Sequence, residues 1–227
     1  MNAIILAGGM NTRISKDIGY MPKSLLEINK KPIIRKACEI LHKLNINVSI
    51  CTGFKANMIE NALSGIDVTF IHNPFFDVTN NIVSLWFARH QINEDTIILS
   101  ADIVFQEEVI KRIMKAEYSL TMAVDKSRIF DGDYFFKLSD KGHILEYGAD
   151  IPEADRNCEY VGISKIKKNA SNEFVAKLEN MIKNHQQYFE NVFFSFDVQT
   201  VDISGLNWRE IDIYSDYLKA IQQFEVI

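Results

Sequence analysis

Short apolar runs alternate with amphipathic segments along the first half of the chain, and this alternation constrains the fold more than any other feature. An apolar run at residues 3–7 is followed by an amphipathic segment at residues 32–44, with proline in its first turn, and by a second apolar run at residues 47–52. Proline is tolerated in the first turn of a helix, and short apolar runs are typical of buried strands. The start of the chain therefore predicts a strand, a helix and a second strand.

The alternation continues as far as residue 115. The sequence predicts helices near residues 56–63, 82–90 and 107–115, and strands at residues 67–72 and 96–100. Strands that are separated by helices form parallel sheets covered on both faces. We therefore predict an α/β fold with a mixed, mainly parallel, Rossmann-like sheet flanked by helices.

The middle of the chain changes character. Strand-like segments at residues 119–124, 134–138, 143–147 and 160–166 follow one another without long helices between them, which predicts a small antiparallel extension or lid. Helices are then predicted at residues 170–184, 188–200 and 215–223. Because 227 residues without a repeat or a Pro/Gly-rich linker suit one α/β domain, we predict a single domain over residues 1–227.

Composition and charge exclude several classes of protein. No apolar run approaches the roughly 18 residues of a membrane helix, and the N-terminus lacks the basic region of a signal peptide, so we expect a cytoplasmic protein without a membrane partner. The net charge of −5 argues against a general nucleic-acid binder. Three cysteines without a CxxC motif argue against a disulfide framework and a zinc site, and are typical of buried thiols.

A glycine pair follows the first predicted strand. Gly8 and Gly9 begin a loop of about 15 residues that also contains Arg13 and ends at Lys23. Adjacent glycines let backbone N–H groups approach a phosphate, and two cationic side chains neutralise its charge. The loop matches neither GxxxxGK[ST] nor GxGxxG, because no glycine follows until Gly19. It predicts a triphosphate site, and the alternative is a tight turn with two solvated cations.

Several segments resemble the nucleotidyltransferase (sugar-nucleotide pyrophosphorylase) family. They are LAGGMNTR at residues 6–13, PKSLL at 22–26, TGF at 52–54, NNIVSLW at 80–86, SAD at 100–102, YVGI at 160–163 and EID at 210–212. The NNxxSL segment and the short chain are similar to the phosphocholine cytidylyltransferase branch. This resemblance implies the nucleotide-diphospho-sugar transferase fold.

The resemblance also implies roles for individual residues. Asp102 and Asp212 would hold Mg²⁺, which suits carboxylate ligands, and Arg13 and Lys23 would be the catalytic cations. The implied nucleotide-binding residues are Leu6, Ala7, Gly8, Gly9, Thr12, Thr52, Gly53, Asn80, Asn81 and Ser84. Two alternatives stay open, because both aspartates could be helix N-caps and either asparagine could cap the helix that follows.

The function that the resemblance implies is the joining of CTP to a small phosphorylated acceptor, with Mg²⁺ as cofactor and release of pyrophosphate. The acceptor would be of the phosphocholine, phosphoglutamine or aminoethylphosphonate type. The phosphate of the acceptor is largely dianionic at neutral pH, so its attack needs no general base. The product of the reaction would serve as a precursor of cell-surface polysaccharide. Candidate acceptor-binding residues are Asp131, Asp133, Glu146, Tyr160 and Trp208.

Two other functions and the oligomeric state stay open. Within the enzyme class, the alternative is a hexose-1-phosphate uridylyl- or thymidylyltransferase. From another class, the alternative is a catalytically inactive nucleotide-binding regulatory module. The chain is also a candidate homodimer.

Overall fold

The computed structural model describes residues 1–10, 13–130, 132 and 134–225. The strands are β1 Asn2–Ala7, β2 Glu27–Ile28, β3 Lys31–Pro32, β4 Asn47–Thr52, β5 Val68–His72, β6 Thr96–Ser100, β7 Ile103–Phe105, β8 Leu120–Asp125, β9 Phe135–Leu138, β10 Ile144–Gly148, β11 Cys158–Ile166, β12 Gln199–Asp202 and β13 Trp208–Glu210. The helices are α1 Ile33–Lys43, α2 Ala56–Ala62, α3 Asn81–Phe87, α4 Glu107–Met114, α5 Ser171–Met181, α6 Glu190–Phe193 and α7 Tyr214–Phe224.

The central sheet is mixed and mainly parallel, as predicted. Its order is β5-β4-β1-β6-β11-β8-β12, in which β5, β4, β1 and β6 are parallel to one another and β11 is antiparallel to both of its neighbours. The β9–β10 hairpin pairs with the start of β11, which confirms the predicted antiparallel extension. The carboxyl ends of β4, β1 and β6 therefore lie side by side, with β1 in the middle.

Both faces of this sheet are covered by helices. Successive residues of a strand point to opposite faces, so Ala3 and Ile5 of β1 contribute to one core and Ile4 contributes to the other. Helices α1, α2 and α4 pack on the first face, and α3, α5 and α6 pack on the second. A third, smaller core joins α7 to the β2–β3 hairpin.

The predicted helix at residues 188–200 is wrong. Only α6 is helical there, and residues 199–202 form the strand β12, which pairs in parallel with β8. Phe189, Phe193 and Phe196 have the spacing of a helical face, but only Phe189 and Phe193 are fully buried. The β-branched residues that follow add a strand to the sheet instead, because tertiary context overrides local spacing.

The structure also describes the thiols and the character of the helices. Cys38, Cys51 and Cys158 are all free and buried, as expected of thiols that act as small apolar side chains. Across the described residues, none of the helices combines the length and the apolar character that a membrane crossing requires.

Candidate active site

A cavity of about 480 Å³ opens at the carboxyl ends of β1 and β6. This is the edge at which open parallel sheets bind their ligands. Most of the residues predicted to form the site line this cavity, namely Leu6, Ala7, Gly8, Gly9, Arg13, Lys23, Asn80, Asn81, Ser84, Asp102 and Asp212.

The end of β4 supports the glycine loop from behind. The backbone carbonyl of Gly8 accepts a hydrogen bond from the N–H of Phe54 at 3.2 Å. A Cβ atom at Gly53 would lie 2.8 Å from the carbonyl oxygen of Gly8 and 2.5 Å from Cβ of Phe76, so only glycine fits there. Thr52 is fully buried. Thr52 and Gly53 therefore shape the loop and are not among the residues that line the cavity.

The two predicted metal ligands meet because β7 and β13 pair. These strands form an antiparallel ladder with Ile103 opposite Glu210, and the N–H of Ile211 donates to the carbonyl of Asp102 at 3.1 Å. Asp102 precedes β7, and Asp212 follows β13 by two residues. The ladder thus brings together two carboxylates that lie 110 positions apart in the sequence.

Neither aspartate is a helix cap. The N-cap of α4 is Gln106 and that of α7 is Ile213. At the start of α7, Oδ2 of Asp216 accepts hydrogen bonds from the backbone N–H groups of Asp212 and Ile213, at 3.3 and 3.1 Å. The cap alternative is therefore wrong for Asp102 and Asp212, and Asp216 performs that role.

Lys23 lies between the two aspartates. Its Nζ atom is 2.5 Å from Oδ2 of Asp102 and 2.8 Å from Oδ1 of Asp212, and Nη1 of Arg13 is 2.8 Å from Oδ2 of Asp212. Burial on its own lowers the pKa of Lys23, but the two carboxylates outweigh burial and hold that pKa above its ordinary value. Lys23 is therefore a permanently charged, nearly buried ammonium group, whereas the side chain of Arg13 is 66 % exposed.

Three carboxylates could hold a divalent cation. Asp102, Glu210 and Asp212 each place an oxygen within 4.8 Å of the others. Because Mg²⁺ prefers oxygen ligands, this donor set fits the ion that the resemblance implies. Sequence reasoning did not select Glu210. Its signal was the spacing of two residues from Asp212, which puts both side chains on one side of an extended segment.

Asn80 and Asn81 both carry structural hydrogen bonds. Oδ1 of Asn80 accepts from the N–H of Asn81 at 2.7 Å and caps α3, and its Nδ2 donates to the carbonyl of Gln186 at 3.2 Å. Oδ1 of Asn81 accepts from the N–H of Phe189 at 2.8 Å. The cap alternative is confirmed for Asn80, and the pair anchors residues 185–190 beside the cavity.

Three of the predicted acceptor-binding residues are not among those that line the cavity. Tyr160 is buried with its hydroxyl 2.7 Å from Oγ of Ser164. Trp208 is buried, and its Nε1 donates to Oδ2 of Asp125 at 2.8 Å. Glu146 pairs with a lysine on the neighbouring strand β9. The predictions for Thr12, Asp131 and Asp133 lie outside the described residues.

Glu190 is a buried carboxylate that sequence reasoning missed, and it does not line the cavity itself but hydrogen-bonds to Asn81, which does. Its Oε2 atom is enclosed and has no hydrogen-bond partner among the described residues. Burial raises the pKa of Glu190 to about 7, although hydrogen bonds from its own backbone and from Asn81 act in the lowering direction. Burial is the largest cause that raises the pKa values of Tyr134 and Tyr160, and the charge of Glu190 is the second largest. No local pattern distinguishes Glu190 from a surface glutamate, because tertiary packing creates its surroundings.

Comparisons with known proteins show which family the chain resembles. The sequence model of the MobA-like NTP transferase domain matches residues 3–155. The chain is 28 % identical to the CTP:phosphoglutamine cytidylyltransferase of Campylobacter jejuni, over 98 % of this chain and 100 % of that protein. It is 26 % identical to the choline-phosphate cytidylyltransferase of Streptococcus pneumoniae, over 96 % of each.

A solved structure shares the fold. The CTP:phosphocholine cytidylyltransferase from Streptococcus pneumoniae superimposes with a TM-score of 0.77, at 20 % sequence identity, over 97 % of both chains. At this identity the likeness shows the fold alone. It confirms the nucleotide-diphospho-sugar transferase fold that the sequence segments imply.

Proposed function

The chain belongs to the family of MobA-like NTP transferase domains, and from this membership we propose that it is a Mg²⁺-dependent cytidylyltransferase. It joins CTP to a small phosphorylated acceptor and releases pyrophosphate. One observation carries the proposal, namely that Arg13 and Lys23 converge on Asp102 and Asp212 within the cavity that the glycine loop lines. The preference for CTP is supported by the two relatives that use it.

The reaction needs alignment and charge neutralisation. A phosphate oxygen of the acceptor forms a bond to the α-phosphorus of CTP while the bond from that phosphorus to the pyrophosphate oxygen breaks. Lys23, Arg13 and the amides of the glycine loop stabilise the charge on the transferring and departing phosphates. Asp102 and Asp212, with Glu210 beside them, would hold Mg²⁺, which would supply further positive charge for the phosphates.

We propose that the acceptor carries a cationic nitrogen. Glu190 supplies an enclosed carboxylate oxygen without a hydrogen-bond partner among the described residues. The charge of Glu190 contributes to the raised pKa of Tyr134. Tyr188 lines the cavity in the same segment of chain. Glu190 is not itself among the residues that line the cavity, but its hydrogen-bond partner Asn81 is, and a carboxylate at this wall suits an ammonium group. Both relatives act on acceptors of this kind, since choline and the α-amino group of an amino acid are cationic.

The first prediction concerns Glu190. Glu190→Gln should raise the KM for a cationic acceptor about tenfold, the effect of roughly 1.4 kcal/mol of lost binding free energy, and should leave the KM for CTP unchanged. The pKa of Glu190 is raised in the folded protein, so its ionisation destabilises the fold progressively as pH rises from the unfolded value towards about 7. Glu190→Gln should therefore raise the melting temperature at pH 8 and change it little at pH 4.

Glu173→Gln is the matched control, because Glu173 is exposed on α5. Steady-state kinetics and melting curves at the two pH values measure both effects. Two results together would contradict the role of Glu190. The KM of Glu190→Gln for the acceptor would equal that of the wild type, and the difference in melting temperature between variant and wild type would be the same at pH 4 and pH 8.

A screen of pyrophosphate release tests the proposed function. CTP, UTP, GTP and dTTP are each paired with phosphocholine, phosphoglutamine, aminoethylphosphonate and glucose 1-phosphate, with and without Mg²⁺. We expect turnover with CTP and one of the first three acceptors, and only when Mg²⁺ is present. Turnover confined to glucose 1-phosphate with UTP or dTTP would support the hexose-1-phosphate enzyme. CTP binding without turnover for any acceptor would support the regulatory module.

A further inference from the structure

The side chain of Ser84 lines the cavity. Ser84 is on α3, and its Oγ atom lies 3.4 Å from the position that a Cβ atom at Gly8 would take. Its backbone carbonyl accepts from Sγ of Cys51 on β4. Asp102 follows β6, which borders β1 on the opposite side from β4. If the phosphates lie against Lys23 and Asp102, the base lies towards Ser84.

A buried asparagine fixes what the Ser84 hydroxyl can do. Asn73 is 1 % exposed, and its Oδ1 atom accepts from the N–H of Phe75 at 2.9 Å. This bond orients the amide, so that Nδ2 points to Oγ of Ser84 at 3.1 Å and to Oγ1 of Thr79 at 3.3 Å. An amide NH₂ group can only donate. Ser84 therefore accepts a hydrogen bond from Asn73.

The hydrogen atom of the Ser84 hydroxyl remains available to a ligand. The hydroxyl of Thr79 accepts the second Nδ2 hydrogen and donates its own hydrogen to the carbonyl of Phe75 at 2.7 Å, so the hydroxyl hydrogen of Thr79 is bonded within the protein. Within residues 1–10, 13–130, 132 and 134–225, the structure shows no acceptor bonded to the Ser84 hydroxyl hydrogen. Because Ser84 is only 5 % exposed and lines the cavity, a bound ligand is the natural partner.

We propose that Asn73 is a positioning residue that holds Ser84 as a hydrogen-bond donor towards the pyrimidine ring and so selects cytosine over uracil. The inference rests on the proposed use of CTP. N3 of cytosine is an acceptor, whereas N3 of uracil carries a hydrogen and is a donor. A hydroxyl that is fixed as a donor pairs with the first ring and leaves two donors opposed in the second. Sites built on buried hydrogen bonds discriminate strongly in this way.

Asn73→Asp tests the polarity without changing the shape of the side chain. One carboxylate oxygen still accepts from Phe75, but the other can only accept, so the Ser84 hydroxyl turns to donate to it and presents a lone pair to the base. The equilibrium affinities of the α,β-methylene analogues of CTP and UTP are measured in the presence of Mg²⁺. The added charge weakens both analogues, so the ratio of their affinities is the quantity of interest. We expect Asn73→Asp to lower the CTP:UTP ratio at least tenfold.

Two further variants make the test decisive. Ser84→Ala removes the donor itself, so it should lower the same ratio both by loss of CTP affinity and by relief of the opposed donors in UTP, and it keeps the test valid if Asn73→Asp does not fold. Thr79→Val removes the other partner of Nδ2 and should leave the ratio within about twofold. A wild-type protein that prefers CTP while Asn73→Asp and Ser84→Ala both keep that preference would overturn this inference alone. A wild-type protein without a preference for CTP would overturn the proposed cytidylyltransferase itself.

Discussion

Asp102→Asn and Asp212→Asn are each expected to lower kcat by about 10²- to 10³-fold, the scale on which removal of one preorganised electrostatic group acts. Both carboxylates belong to the cluster that also contains Glu210, and both contact Lys23. Each amide variant keeps the shape of the side chain but loses a charged ligand for Mg²⁺. The double variant should be barely slower than either single one, because residues that act as a unit are strongly non-additive.

The same variants should behave differently in stability. In each single variant Lys23 keeps one carboxylate partner, so the melting temperature should change little. In the double variant the nearly buried ammonium has neither partner, and an unpaired buried charge destabilises a fold strongly. The loss of stability in the double variant should therefore exceed the sum of the single losses.

Kinetics across a Mg²⁺ titration and melting curves for the three variants measure both effects. Asp216→Asn is the control, because Asp216 caps α7 and its amide replacement still accepts hydrogen bonds. It should cost about 1 kcal/mol of stability at most and leave turnover largely intact. Normal rates in the Asp102 and Asp212 variants, or independent effects that multiply in the double variant, would remove the shared metal site from the mechanism.

The central sheet could be predicted from the sequence because its strands are long and apolar. β1, β4 and β6 bury most of their residues, and the edge strand β5 half-buries Val68 and Ile71. Amphipathic helices separate these strands, so local periodicity predicts them. β7 and β13 have only three residues each and form because they pair with each other. No local sequence pattern predicts a pair of such short strands. Contact between Asp102 and Asp212 therefore followed from family resemblance and not from periodicity.

The candidate site shows the same division. The glycine pair and Lys23 belong to one loop of about 15 residues, so the sequence alone could predict an anion site there. Packing between segments that are distant in the chain creates the surroundings of Asn73, Glu190 and Glu210. The aromatic residues mislead in the opposite direction, since Trp208 is an alternating residue of a strand that belongs to the hydrophobic core. Burial of that kind depends on the partner element and cannot be read from the strand alone.

Lys23→Met should lower turnover by about 10²-fold and should also make the stability of the protein depend on divalent cations. Methionine retains the length of the buried stem but removes the charge that lies between Asp102 and Asp212. Without that charge the two carboxylates and Glu210 repel one another, and a bound cation relieves the repulsion. The fold should survive, but its melting temperature in chelator should fall below that of the wild-type protein. Added Mg²⁺ should then raise it by more than in the wild type, because the ion takes the place of the ammonium group.

Lys16→Met provides the comparison, since Lys16 is an exposed cation of the same loop. It changes the net charge equally but should alter neither the rate nor the response to Mg²⁺. Melting curves in EDTA and across a Mg²⁺ titration, without nucleotide, separate the effect on the carboxylates from the effect on catalysis. A Lys23→Met protein that loses activity but responds to Mg²⁺ as the wild type does would indicate that Lys23 stabilises only the phosphates and does not balance the charge of the carboxylates. A near-normal rate would mean that the loop does not bind the triphosphate, because Lys23 is the one nearly buried cation that the described part of the cavity offers it.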